Sequence, residues 1–252
     1  MRVVLTFLLA ICCIAVIIAG SQHWNNRSFD LRQNQIKEYG QGGTDPLLNY
    51  ASNWPKESYQ QFENLLQKKK PFKIQIAGSA AMGKGEDSWP EMVEEELIKT
   101  YGKAVEVKIN RYDLNSLEFI QQNKQKELID SFANLILFEP FFLKNNGEIA
   151  IEDTLLSLDT IINEVKQANP KTVFVLQPAH PLFNANYYPL QVEELKQYAE
   201  DNKIPFLNHW KAWPDQQDES LIAYLSEDNN EPSKKGHQIW AEFITNYFIN
   251  KE

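Results

Sequence analysis

Between Phe72 and Leu207 the chain repeats one pattern: a short apolar run, a turn, then a segment with apolar residues at helical spacing. The runs are Phe72 to Ala77, Val105 to Ile109, Ala133 to Phe138, Thr172 to Leu176 and Ile204 to Leu207. Strands separated by helices must return to the same end of a sheet, so the alternation predicts parallel pairing with helices on both faces. "ANLILF" is apolar throughout, as a strand covered on both sides should be. The expected fold class is α/β: a three-layer α/β/α sandwich around a five-stranded parallel sheet of the flavodoxin type. Helices are predicted over Lys56 to Lys69, from Ser88 to Gly102, over Asn115 to Asp130, from Asp153 to Asn169, from Pro189, and from near Pro232. Ser88 and Glu91 have the spacing of a capping box. Ligands of such sheets bind beyond the carboxyl ends of the strands. Chemistry is therefore sought in loops 78–87, 110–114, 139–147, 177–188, 208–217 and 226–236.

The first residues follow different rules. Arg2 precedes an uncharged apolar run of about 18 residues, Val3 to Gly20, near the lower limit for a bilayer-spanning helix. The positive flank places the N-terminus in the cytoplasm and the remainder outside. The small residues Ala19-Gly20-Ser21 also resemble a cleavage site, which would release the protein. The sequence thus divides into a transmembrane signal anchor (1–20), a polar Asn-, Gln- and Gly-rich tether (21–44) and one domain (45–252) at the outer face of the cell membrane. Both cysteines, Cys12 and Cys13, lie in the apolar segment, so the domain holds no disulfide. A net charge of −9 argues against nucleic acid as a partner. Neither a metal nor a cofactor motif is present: Gly78, Gly83 and Gly85 make a glycine-rich turn, but no Walker-type Lys-Ser/Thr follows.

The blocks "IAGSAAMGKGEDSWPEMVEEEL", "VFVLQPAHPLFNANYYPLQVEELKQYAEDNKIPFLNHWKAW" and "LSEDNNEPSKKGHQIWAEFI" are similar, in order and spacing, to those of the SGNH/GDSL hydrolases over residues 72–250. The resemblance implies an SGNH-hydrolase-like fold and an ancestry among ester hydrolases. It also implies a divergent member. The family's nucleophilic serine falls on Ala80, inside Gly78-Ser79-Ala80, and its histidine falls on Glu231, while Asp228 matches. Its oxyanion glycine falls near Tyr112 or Asp113. Its Asn-bearing block falls on "FEPFFLKN", where Glu139 to Phe142 supply no amide at the expected place. Losing a triad nucleophile or base lowers turnover by about 10⁶.

Two functional expectations follow. The first is a non-catalytic or much-altered protein that binds a cell-envelope glycan, or an acylated small molecule, through Gly78, Ala80, Tyr112, Glu139, Asp228 and Glu231. The second is an active ester hydrolase using Ser79 with His180 or His237, or a pair of carboxylates, Glu139 and Glu231. His209 reads as a packing residue beside Trp210. The loop aromatics, among them Tyr112, Phe141, Phe142, Phe183, Tyr187, Tyr188, Trp210 and Trp213, suggest faces for sugar rings.

Overall fold

The computed structural model describes residues 45–227 and 231–251. The predicted anchor and tether, and Asp228, lie outside the described residues.

Two short helices, α1 (Pro46–Tyr50) and α2 (Lys56–Gln67), lead into the first strand, β1 (Phe72–Ser79). Then come α3 (Trp89–Tyr101), β2 (Val105–Tyr112), α4 (Ser116–Gln121), α5 (Gln125–Ile129), β3 (Leu135–Phe138), α6 (Phe142–Asn145), α7 (Ile151–Ala168), β4 (Val173–Leu176), α8 (Tyr188–Asp201) and α9 (Lys234–Phe248). The strands form one parallel sheet in the order β2-β1-β3-β4, with Phe72 opposite Val105, Ile74 opposite Leu135 and Leu135 opposite Val173.

Among the described residues the sheet has four strands rather than five. The fifth apolar run lies where expected, beside β4, but makes only an isolated parallel bridge between Leu176 and Phe206. Leu176 donates to the Pro205 carbonyl (2.8 Å) and Leu207 donates back to Leu176 (2.8 Å). The ladder goes no further because Pro205 has no N–H, and because the Asn208 side chain accepts from Trp210 N (3.2 Å) and turns the chain into a 3₁₀ segment, His209–Ala212.

One helical layer joins α2, α3 and α9. Its interior is aromatic: Trp54 packs against Phe62, Phe72, Tyr101 and Phe248. Trp54 Nε1 and Tyr101 Oη both donate to the Phe248 carbonyl, at 2.8 and 2.6 Å. A second stack runs from Trp89 through Trp240 to His209, with ring centroids 4.6 and 4.1 Å apart. The other layer holds α4, α5, α7 and α8.

Two local expectations change. The segment Asn115 to Asp130 is two helices, because Asn123 at φ 56° ends the first. The capping box belongs to Asn115 and Glu118. At α3 the Ser88 hydroxyl donates instead to the Glu91 carboxylate and accepts from Arg111 (3.1 Å), so it makes no backbone cap. The free Trp89 N–H is taken by His237 Nδ1 at 3.3 Å.

Candidate functional site

β1 runs two residues beyond the expected Ala77, so Gly78 and Ser79 belong to the strand and the turn begins at Ala80. That extension decides which side chains face inward. Ser79 is fully buried, and its Oγ accepts from Ala81 N (3.2 Å), starting the 3₁₀ turn Ala80–Met82. Its side chain also favours the charged form of Glu139, the residue just after β3.

Glu139 is likewise fully buried. Its Oε2 accepts from Ser79 N (2.7 Å), its Oε1 accepts from Phe141 N (3.1 Å), and its own N–H donates to the Ala77 carbonyl (2.9 Å). Burial pushes its carboxyl upward, while the bonds from Ser79 and Phe141 pull the other way. Tyr188, buried alongside, has its phenol pushed well up by burial and then by the Glu139 charge. The carboxylate therefore ties the end of β1 to the loop after β3. Gly78 is part of this fastening: a Cβ there would stand 2.7 Å from Glu139 Cβ and 2.9 Å from its carbonyl oxygen. Phe141 takes φ 64° and buries its ring against Phe119, Phe138 and Tyr112.

The histidines are also interior. His237, on the first turn of α9, caps α3 as described and packs on Gly83, where a Cβ would lie 2.5 Å from its Cε1. Burial, and then the Arg111 charge, lower its imidazole to about 4. His209 contacts the Pro178 carbonyl through Nε2 (3.0 Å) and accepts from Trp213 Nε1 (2.9 Å) through Nδ1, which makes it the Nε2–H tautomer. Burial lowers it to about 3. His180 is fully buried after β4, close enough to His209 for their charges to oppose each other.

What solvent reaches is a different set of residues. A cleft of about 650 Å³ opens at the carboxyl ends of the strands, with the turn Ser79 to Ala81 as its floor. Ala80 and Glu231 line this same cleft, as do Asp113, Lys144, Asn146 and Glu148. Lys144 Nζ pairs with Asp113 Oδ1 at 3.0 Å, which raises the ammonium and lowers the carboxyl. Three carboxylates against one ammonium leave the cleft acidic. Tyr112 is not among its lining residues; its ring is buried edge-on to Phe119. Phe141, Phe142, Tyr188 and Trp213 are core residues too, so the aromatic rings anticipated in the loops do not line this cleft. No group of three or more His, Cys, Asp or Glu among the described residues is arranged to hold a metal.

Sequence reasoning missed Lys144, Asn146 and Glu148. Lys144 and Asn146 lie in loop 139–147, where the resemblance points to Glu139, and Glu148 falls one residue beyond it. The polar, glycine-bearing "KNNGE" was the available signal.

No family model and no curated protein sequence matches the chain. Solved structures do. A putative GDSL-like lipase from Parabacteroides merdae superposes with a TM-score of 0.60 at 11% identity, covering 71% of this chain and 96% of that one. A putative lipolytic protein of the G-D-S-L family from Desulfitobacterium hafniense gives 0.56 at 16%, covering 69% and 98%. The fold is that of the GDSL hydrolases. An acetylxylan esterase from Geobacillus stearothermophilus shares it as well, with a TM-score of 0.55 at 15% identity over 71% of this chain and 94% of that one. Identities this low establish the architecture alone. In this GDSL-type fold Ala80 and Ala81 line the cleft after β1, and Glu231 lines it before α9.

Proposed function

We propose that this is a membrane-tethered protein of the outer cell surface that binds a cell-envelope glycan in the cleft of a GDSL-type fold without hydrolysing it. The observation that carries the reading is that Ala80 and Glu231 line one accessible cleft, while Ser79, in its floor, is fully buried and held to Glu139 through its backbone N–H. A methyl group cannot attack an acyl carbon. The acidic lining, Asp113, Glu148 and Glu231 against Lys144, would also disfavour a developing oxyanion. The same charge balance favours a neutral or amine-bearing sugar, held by carboxylates and by Asn146. That one structural neighbour is an acetylxylan esterase supports a polysaccharide as the class of ligand. No described helix is long and apolar enough to cross a membrane. Tethering therefore rests on the sequence of residues 1–20, which lie outside the described residues.

The test is labelling of the whole chain with a serine-directed phosphonate, together with p-nitrophenyl acetate hydrolysis by wild type and Ser79→Ala. The expected result is no labelling and equal, uncatalysed rates. Stoichiometric labelling that disappears in Ser79→Ala would establish an ester hydrolase instead.

A further inference from the structure

At the opposite end of the sheet, a groove of about 860 Å³ lies between α2 and the residues leading into β4 and the bridging segment. Lys56, Lys68, Lys166, Lys171 and Lys203 line it, all exposed, against one acid, Glu57. None of the five is in an ion pair within the described residues. On a chain of net charge −9, this is a marked local reversal.

Helix electrostatics accounts for only part of it. Lys68, Lys166, Lys171 and Lys203 stand at or just past the carbonyl ends of α2, α7 and α8. Each such end carries about half a negative charge, so three ends offset fewer than two of the lysines. Lys56 is the first residue of α2, where the dipole disfavours a cation. Nothing in the helix places it there.

The floor is fixed and polar. Gln61 donates to the Lys171 carbonyl (2.8 Å), Asn134 donates to Gln61 (3.0 Å), and Asn134 Oδ1 accepts from Lys73 N (2.9 Å). A second cavity of about 320 Å³ shares Gln61, Asn134, Lys171 and Thr172 with the first and prolongs it toward Phe132. The result is a recess lined by cations, with amides among its fixed residues.

We propose that this groove binds a linear phosphate-bearing polymer of the cell envelope, a polyol- or sugar-phosphate chain. The lysines offer ammonium groups to phosphates, and the exposed amides of Gln60 and Asn64 offer hydrogen bonds to hydroxyls. A recess suits a chain better than it suits the plane of a lipid surface. The envelope as the source of the polymer rests on the outer-face location proposed above; the anion chemistry does not.

The experiment uses the full chain in neutral detergent, fluorescent inorganic polyphosphate as probe, and a salt titration. Wild type should bind, and log K should fall linearly with log salt concentration. Lys166→Gln/Lys171→Gln/Lys203→Gln should weaken binding at least ~10-fold at low salt and reduce the slope by about 2, at roughly 0.7 per lost phosphate contact as for single-stranded polyanions. Lys56→Gln alone should do the same in smaller measure, which keeps the test valid if the triple variant folds poorly. Lys99→Gln/Lys196→Gln, on helices away from the groove, should change nothing. The proposal is overturned by unchanged affinity and slope in the groove variants. It is equally overturned if orthophosphate competes as well as polyphosphate at equal phosphate concentration. Tighter, variant-sensitive binding to anionic vesicles or to single-stranded DNA would replace the polymer with a lipid or nucleic-acid partner. None of these outcomes touches the phosphonate test, so the two readings fail separately.

Discussion

The carboxyl end of the sheet has two layers that differ in kind. The inner layer holds the reactive residue types, Ser79, Glu139, His180, His209 and His237, all buried. The outer layer, which solvent and ligands reach, holds Ala80, Asp113, Lys144, Asn146, Glu148 and Glu231. In an ester hydrolase nucleophile and base must share the accessible layer. Here the hydroxyl, imidazoles and carboxylate of the inner layer tie together strand ends and helix starts. Position along the chain does not separate the two layers: Ser79 and Ala80 are neighbours. The strand's alternation does, since it turns one inward as the last residue of β1 and leaves the next to begin the turn.

Breaking the inner layer should have the largest effect. Glu139→Leu strands the buried Ser79 N–H and takes one of two acceptors from Phe141 N–H, which keeps the backbone carbonyl of residue 139 (3.1 Å); a buried polar group left without a partner costs about 1 to 3 kcal/mol. Urea unfolding should show a loss of roughly 2 to 3 kcal/mol. Glu139→Gln keeps one acceptor oxygen and should lose less than half of that. Equal, small losses in both variants would mean that the carboxylate is not the fastener.

Titration of the inner layer gives a smaller effect with a definite sign. His237 is held at about 4, below the ordinary imidazole value, so the unfolded chain binds the extra proton first as pH falls. Its contribution is intact above about 6.5 and is lost as pH drops toward 4. At pH 5 the loss should be about 1 to 2 kcal/mol. Glu139 acts in the opposite sense, because a raised carboxyl favours the folded state on acidification. His237→Gln keeps an acceptor for Trp89 N–H, so it should resemble wild type near pH 7 and lose less stability between pH 6.5 and 5. An unchanged pH slope would show that the imidazole already titrates freely in the folded protein.

The alternation of apolar runs and helical stripes was enough to read the architecture, because burial on both faces of a parallel sheet forces that composition on the strands. The failures were local competitions. Pro205 and Asn208 shorten the fifth strand to a bridge although "IPFL" is apolar. Arg111, distant in sequence, draws the Ser88 hydroxyl away from the backbone, and His237 takes the vacated capping position. The cleft positions Ala80 and Glu231 were legible through a resemblance in block order. Which serine faces inward was not, since it depends on β1 ending at Ser79 rather than Ala77. The Lys144-Asp113 pair joins α6, after β3, to the turn after β2, and leaves no mark in either segment.

The smallest expected effect comes from moving reactive groups into the outer layer. Ala80→Ser with Glu231→His would set a hydroxyl and an imidazole in the same cleft. Position 80 is partly exposed and lines the cleft, and a serine there adds a single oxygen. Glu231 exchanges backbone hydrogen bonds with Ser226, N–H to Oγ at 3.2 Å and C=O to N–H at 2.9 Å, which a histidine preserves. Folding should therefore survive the exchange. Catalysis should stay weak, because the carboxylates of Asp113 and Glu148 still line the cleft, and a missing oxyanion donor alone is worth about 3 to 4 kcal/mol, or two to three orders of magnitude in rate. Hydrolysis of p-nitrophenyl acetate should rise measurably above background in the double variant and in neither single one. Adding Asp113→Asn and Glu148→Gln should raise it again by lifting the opposing charge. A gain in Ala80→Ser alone would show that one of the buried histidines reaches the cleft, which would dissolve the separation between the layers.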